Sequence, residues 1–232
     1  MTETKFKEYL EENGITINDN QLNLFKKYAD YLLDYNKTTN LTAIKTLDDV
    51  YLKHFLDSVL LLKHIKITNE KLLDIGTGPG FPGVPLKILC PDIKLYLLDS
   101  NGKKTKFLES LKEELNLDYE VINDRAEAYI KENRESFDIV VSRAVSNLSV
   151  LSELAFPYVK VEGSFISYKG NADEEIKEAK KAIDILSHGE INVIKEKLPI
   201  ENSERTFVIV TKKNKTDTKY PREYNKIIKR PL

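Results

Sequence analysis

A chain of 232 residues with 41% hydrophobic and 31% charged side chains has the composition of an ordinary soluble globular protein, which excludes a disordered polymer and a membrane bundle. Its 36 Lys and Arg are balanced by 37 Asp and Glu, so no overall field draws it to a polyanion and any nucleic-acid contact has to be local. The single cysteine, Cys90, rules out an internal disulfide and a cysteine cluster for metal, and is expected to be a small buried side chain before Pro91.

The opening stretch, MTETKFKEYLEENG, is polar and mixed in charge, without the apolar core of a secretory signal, and a cytoplasmic location is expected. Up to Ile67 the apolar period is helical. From Asn18, a candidate cap together with Asn20, one face carries Leu22, Phe25, Ala29, Leu32 and Leu33. After NKTTNLT, Thr46 and Asp49 have capping-box spacing, and Val50, Phe55, Val59 and Leu62 form the next stripe. Residues 1–68 are therefore expected to be a helical segment flanking the main domain.

From Lys71 short apolar runs alternate with amphipathic helices. KLLDIG, KLYLLDS, YEVIND, FDIVVSRAV and GSFISYKG read as strands, and the segments between them as helices. The alternation predicts an α/β fold with a doubly wound, mostly parallel sheet, and near-continuous runs such as LYLL and IVV predict helices on both of its faces. A long helix over 172–188 precedes INVIKEKL and RTFVIVTKK, which the short polar PIENSE joins as an antiparallel pair. The domain is expected to span 69–212. Beyond it, 213–232 is a basic tail. From Thr211 to Leu232 eight cations face two acids, a net of +6, which reads either as a solvated, poorly ordered end or as a local phosphate contact.

The exit of the first strand, LLDIGTGPGFPGVPL, holds four glycines and three prolines. Gly76, Gly78 and Gly80 permit positive φ or a close approach to the main chain, and Pro82 and Pro85 suit the first turn of the next helix. Read from Gly78 the loop is G-x-G-x-x-G, the dinucleotide fingerprint; read from Asp74 it is D-x-G-x-G-x-G, the pattern of S-adenosylmethionine enzymes. Asp99 ends the second strand, where an acid accepts hydrogen bonds from a ribose, which both ligands contain. A tight turn with no ligand is the third reading. A nicotinamide enzyme would need a site for its hydride partner, and only the antiparallel pair follows the sheet, which favours S-adenosylmethionine.

NLTAI, HFLDSVLLL, LLDIGTGPGFPGVPLKI, LLDSNGKKTKFLESL, DRAE, VVSRAVSNLSVL and SYKG occur in order from about Asn36 to Gly170. Together they resemble the RsmG (GidB) family of bacterial small-subunit ribosomal RNA methyltransferases. The resemblance implies a Rossmann-like, class I methyltransferase fold and transfer of a methyl group from S-adenosylmethionine to N7 of a guanine in 16S rRNA. It implies Gly76 and Phe81 against the cofactor, Ala126 and Glu127 beside the adenine, and Arg143 at the mouth of the site. Gly78 and Asp99 keep the cofactor roles read from the loop and strand end. The 16S rRNA or the small ribosomal subunit is the implied partner, with no membrane, and the protein is expected to act as a monomer. Arg143, Lys169 and Arg222 are candidate substrate contacts, with Lys103 and Lys104 as further phosphate contacts. After the YPR of this tail the family resemblance leads to a Gly-Thr-Pro-Asn-Lys-like element, and EYNKIIKRPL stands there instead. Guanine N7 carries a free lone pair, so no general base is expected, and His54, His64 and His188 read as structural or surface residues. An oxidoreductase and a non-catalytic RNA-binding module are the competing hypotheses.

Overall fold

Side-chain caps punctuate the N-terminal helices. The computed structural model describes residues 1–143 and 146–232, so the last two residues of FDIVVSRAV, Ala144 and Val145, lie outside the described residues. Thr2 caps α1 (Glu3–Glu12), and Asn18 caps α2 (Asp19–Thr39) in a reciprocal box with Gln21. Thr46 accepts from the Asp49 amide to start α3 (Leu47–Asp49), which continues as a π-helix over Val50–Leu56, as α4 (Asp57–Val59) and as a 3-10 turn over Leu60–Lys63. Val50, Phe55 and Val59 of the expected stripe are fully buried. The π-helical widening is not legible in the sequence, because one extra residue per turn leaves no mark on so short an apolar pattern.

The alternating part gives β1 (Lys71–Ile75), α5 (Gly83–Leu89), β2 (Lys94–Leu98), α6 (Gly102–Leu115) and β3 (Glu120–Ile122). Then come α7 (Ala126–Tyr129), β4 (Phe137–Arg143), α8 (Leu148–Ala155), β5 (Val159–Lys169) and α9 (Asp173–Ser187). The chain closes with β6 (Glu190–Lys197), β7 (Glu204–Thr211) and α10 (Tyr224–Lys229). The sheet order is β3-β2-β1-β4-β5-β7-β6, with the first five strands parallel and β7 antiparallel to both neighbours. This is the doubly wound, mostly parallel sheet with an antiparallel terminal pair that the alternation predicts.

Side chains alternate between two cores. Leu72, Leu95, Leu97, Val141 and Ile166 pack with α5, α6 and the N-terminal helices, while Leu73, Ile75, Val140, Phe165 and Val208 pack with α8 and α9. Continuous apolar strands follow from coverage on both faces. The N-terminal segment supplies one of those covers, since Phe6, Phe25, Tyr28 and Phe55 belong to the same cluster as the sheet. Cys90, expected to be buried, is only half-buried, and burial pushes its thiol up to about 11.

The C-terminal segment corrects the picture of a solvated end. Lys212 is fully buried, donating to the carbonyls of Phe156 (2.9 Å) and Val159 (2.8 Å) and pairing with Glu135 (3.0 Å). Arg134 donates to the carbonyls of Thr216, Asp217 and Tyr220, and Ile227 packs against Val150 and Leu154 of α8. A run of cations read from composition thus contains members that hold the segment down.

Two glycines of the loop are expected to differ in what they tolerate. A Cβ on Gly83 would lie 2.6 Å from Leu97 Cδ2 and 2.9 Å from Asp74 Oδ2, whereas a Cβ on Gly78 meets nothing within 4 Å and carries only the strain of φ +62°. Gly83→Ala should destabilise the fold by about 1–3 kcal/mol through overpacking and Gly78→Ala by about 1 kcal/mol. Urea midpoints of the two variants check this order; equal shifts would contradict it.

Candidate active site

Two carboxylates fasten the glycine loop. Gly76, Gly78 and Gly80 all have positive φ, and the amides of Gly76 and Thr77 donate to the Leu98 carbonyl, turning the chain across the end of β2. Asp74 is fully buried, and its Oδ2 accepts from Thr77 Oγ1 (2.7 Å) and from the Gly83 amide at the start of α5 (2.8 Å). Its Oδ1 finds no partner among the described residues, and burial pushes the group up to about 7 against the help of those hydrogen bonds. Asp99 Oδ2 accepts from the Gly78 amide (2.9 Å), its Oδ1 accepts from the Asn101 amide (2.8 Å), and Lys104 Nζ lies 3.7 Å away.

A first cleft opens between the ends of β1, β2 and β3. Gly76, Asp99, Ala126 and Glu127 line it, with Leu154 and Tyr224 on the α8 and α10 side. The structure therefore brings together four of the residues singled out for a cofactor, and Gly78 touches one of them through its hydrogen bond to Asp99. Bare main chain beside open space at Gly78 and an acid at the end of β2 fit a ribose-bearing ligand outside the carboxyl ends of β1 and β2, beside the point where the strand order reverses.

Phe81 and Arg143 sit elsewhere. Phe81 is 3% exposed and does not border the first cleft; its ring stacks on Tyr28 (5.3 Å, 13°) and on His54 (4.2 Å, 14°). The Tyr28 hydroxyl donates to the Pro79 carbonyl, so α2 reads the conformation of the loop directly. The Arg143 guanidinium lies 5.1 Å from the Phe81 ring centroid and belongs to a second cleft of about 380 Å³, the size of a small-molecule site. That cleft lies over the ends of β4 and β5 and the start of β7, and is lined by Lys53, His54, Asp57, Tyr168, Lys169 and Arg205 together with Arg143.

Asp57 organises the second cleft. It is 6% exposed, and its two oxygens hold two guanidinium groups, Arg143 Nη1 at 2.7 Å and Arg205 Nε. One carboxylate between two arginines leaves a positive surplus. Arg143 also donates to the carbonyls of Lys53 and His54 at the end of the π-helix, where irregular helical turns commonly frame sites. Arg143 Nη2 lies 3.3 Å from His54 Nδ1. An arginine cannot accept, so Nδ1 carries the lone pair, and Nε2–H faces Thr42 Oγ1 at 2.9 Å. Burial first and Arg143 second pull the imidazole down to about 3.

Lys169 pairs with Glu175 (2.7 Å) and donates to the Ser146 carbonyl, while Tyr168 donates its hydroxyl to the Ser58 carbonyl (3.0 Å). Arg222 borders neither cleft. Its guanidinium forks onto the fully buried Glu153 (2.8 and 2.6 Å) and its amide donates to the same side chain (2.8 Å), which anchors the C-terminal segment on α8. His54, expected to be structural or surface, borders the second cleft with Asp57 and Arg205, and Tyr224 borders the first; the last three are not singled out in the sequence. The i, i+3 pair His54 and Asp57 in HFLDS was a readable signal. Arg205 had none, since only the antiparallel return of β7 brings it to this edge.

A family model described as GidB, rRNA small subunit methyltransferase G, matches residues 21–206. The ribosomal RNA small subunit methyltransferase G of Fusobacterium nucleatum is 46% identical over 228 residues, covering 98% of each chain, and that of Geobacillus sp. is 46% identical over 238 residues, covering 100% of each. Among solved structures, a methyltransferase from Pyrococcus furiosus aligns with a TM-score of 0.57 at 19% identity, over 68% of this chain and 83% of its own. The 16S rRNA N2 G1207 methyltransferase RsmC of Thermus thermophilus, in complex with AdoMet and guanosine, aligns with a TM-score of 0.50 at 15% identity, over 69% of this chain and 39% of its own. These two likenesses carry the fold.

Asp74 and His54 are expected to tilt stability in opposite senses. Folding raises Asp74 from 3.8 to about 7, so the native state holds a proton the unfolded chain releases, and this contribution falls as pH rises from about 4 to 7. Folding lowers His54 from 6.5 to about 3, so its contribution is full above about 6.5 and is lost as pH falls toward 3. Relative to the unsubstituted chain, Asp74→Asn should gain stability as pH rises across this window and His54→Gln should lose it, each by up to ~1.4 kcal/mol per pH unit. Denaturant melts between pH 4 and 7 measure both slopes; parallel curves would refute the assignment.

Proposed function

The chain belongs to the GidB family, rRNA small subunit methyltransferase G, and on that premise we propose that it transfers a methyl group from S-adenosylmethionine to N7 of a guanine in 16S rRNA. The observation that carries this reading is the first cleft, in which Asp99 and the bare main chain at Gly76 lie next to Ala126 and Glu127. Residues 69–212 form the transferring domain in this reading, 1–68 its flank and 213–232 its C-terminal segment, and the chain works as a cytoplasmic monomer. Among the described residues no helix is long and apolar enough to cross a membrane.

S-adenosylmethionine, when bound, supplies an electrophilic methyl group on a sulfonium. Asp99 accepts hydrogen bonds from its ribose, the Gly76 to Gly78 main chain approaches it without side chains in the way, and Ala126 and Glu127 flank the adenine. Phe81 supports the loop from behind through its stack on Tyr28 and His54.

The nucleophile needs no deprotonation, and the nearby titratable groups are built accordingly. Nδ1 of His54 is engaged by Arg143, and Asp74 is sealed beneath the loop, so neither is placed to accept a proton from a substrate. The residues of this chain act by alignment and by their field. The second cleft gathers Arg143 and Arg205 on Asp57, with Lys169 also on its lining, for the RNA side. An arginine that read guanine by the usual O6 and N7 fork would mask the reacting nitrogen. These cations therefore grip phosphate or O6 and leave N7 free.

Transfer of labelled methyl groups to small-subunit rRNA, with mapping of N7-methylguanine, tests the reading. Asp99→Ala should weaken binding of S-adenosylhomocysteine by about 10–100-fold, the cost of a lost charge-assisted hydrogen bond, without unfolding the chain. Arg143→Ala should raise KM for RNA more than it lowers kcat. An rRNA whose N7-methylguanine pattern is the same with and without the protein would overturn the reading.

A further inference from the structure

Tyr224 is the only aromatic ring, among the described residues, that borders the first cleft; the apolar remainder of the wall is Ile75, Leu98, Ala126 and Leu154. It is half-buried, unlike the fully buried rings of the two cores. Its position is over-determined. Two residues before it, Arg222 forks onto the buried Glu153 of α8, and three residues after it Ile227 packs on Val150 and Leu154 of the same helix. The Arg125 guanidinium lies 4.6 Å from the ring centroid and pairs with Glu127, so the ring is tied to the side of the cleft where the adenine is assigned.

We propose that Tyr224 is a cofactor-contact residue whose ring forms an aromatic wall against the adenine base of the bound S-adenosyl ligand. This inference rests on the S-adenosylmethionine reading of the first cleft. A purine presents two flat π faces, and a tyrosine held by its neighbours stacks on one at small entropic cost, since it has only two side-chain torsions to fix. The anchoring of the C-terminal segment thereby gains a purpose beyond covering α8. The pair of Arg222 with the buried Glu153 delivers a ring from the end of the chain to a cleft at the ends of β1, β2 and β3.

The test uses the full-length chain and S-adenosylhomocysteine or adenosine as probes in titration calorimetry. Tyr224→Ala should weaken both about tenfold, the scale of one aromatic–base stack, while Tyr224→Phe stays within about twofold of the unsubstituted protein. The chain contains no tryptophan, so Tyr224→Trp introduces a single indole that can be excited apart from the tyrosines, and its fluorescence should be quenched by both probes and not by methionine alone. A purely structural role would instead lower the melting temperature of the ligand-free Ala variant and leave the Trp emission insensitive to adenosine. Unchanged affinity in Tyr224→Ala with unquenched Trp emission overturns the proposal, while loss of binding in Asp99→Ala would leave the function standing. If the unsubstituted protein binds neither probe, the cofactor reading itself fails and this inference falls with it.

Discussion

The hydrogen bonds from the glycine loop to Asp74 and Asp99 are the constraint on which the rest of the molecule turns. Three positive-φ residues in one short loop have no preferred shape of their own. Asp74 imposes one by gripping both the loop, through Thr77, and the first amide of α5, through Gly83, at the cost of a buried carboxylate with an orphaned oxygen. Asp99 fixes the other half through Gly78. With the main chain held in this way, one side of the loop faces the first cleft, and Phe81 at its far end is directed into the N-terminal helices.

Through Phe81 the helical flank becomes part of the site. Tyr28 and His54 both stack on the ring, and the same imidazole meets Arg143, which is held in turn by Asp57. The row draws on the flank and the sheet alike, so the second cleft forms only when the flank is docked on the sheet. The Asp57 carboxylate between Arg143 and Arg205 neutralises one cation of the two and leaves the second cleft with a positive surplus.

The C-terminal segment shows the same economy of charge. Composition presents it as a cationic end, yet Lys212 and Arg222 meet buried backbone carbonyls and the buried Glu153. Burial pulls the Lys212 ammonium below its ordinary range, with Glu135 opposing that pull, as expected for a cation used in packing. Lys226 and Lys229 remain in exposed positions on α10 for any contact with phosphate.

Much of the architecture is legible in the order of the amino acids alone. Periodicity specified the alternation of strands and helices, and continuous apolar runs specified a sheet covered on both faces, because those signals are local and depend only on which side chains must leave water. The positions of Gly76 and Asp99 at strand exits are legible for the same reason, since short spacing there reflects backbone geometry, while Ala126 and Glu127 come with the family resemblance of DRAE. What the tertiary structure decided was the meeting of residues remote in the chain: Arg205 with Asp57, Arg222 with Glu153, Tyr224 with Glu127 through Arg125, and Phe81 with His54 in place of the first cleft. A charge or a ring carries no label for its partner in the sequence. Only the packing of one element on another determines whether it faces solvent, a ligand or a buried counter-charge.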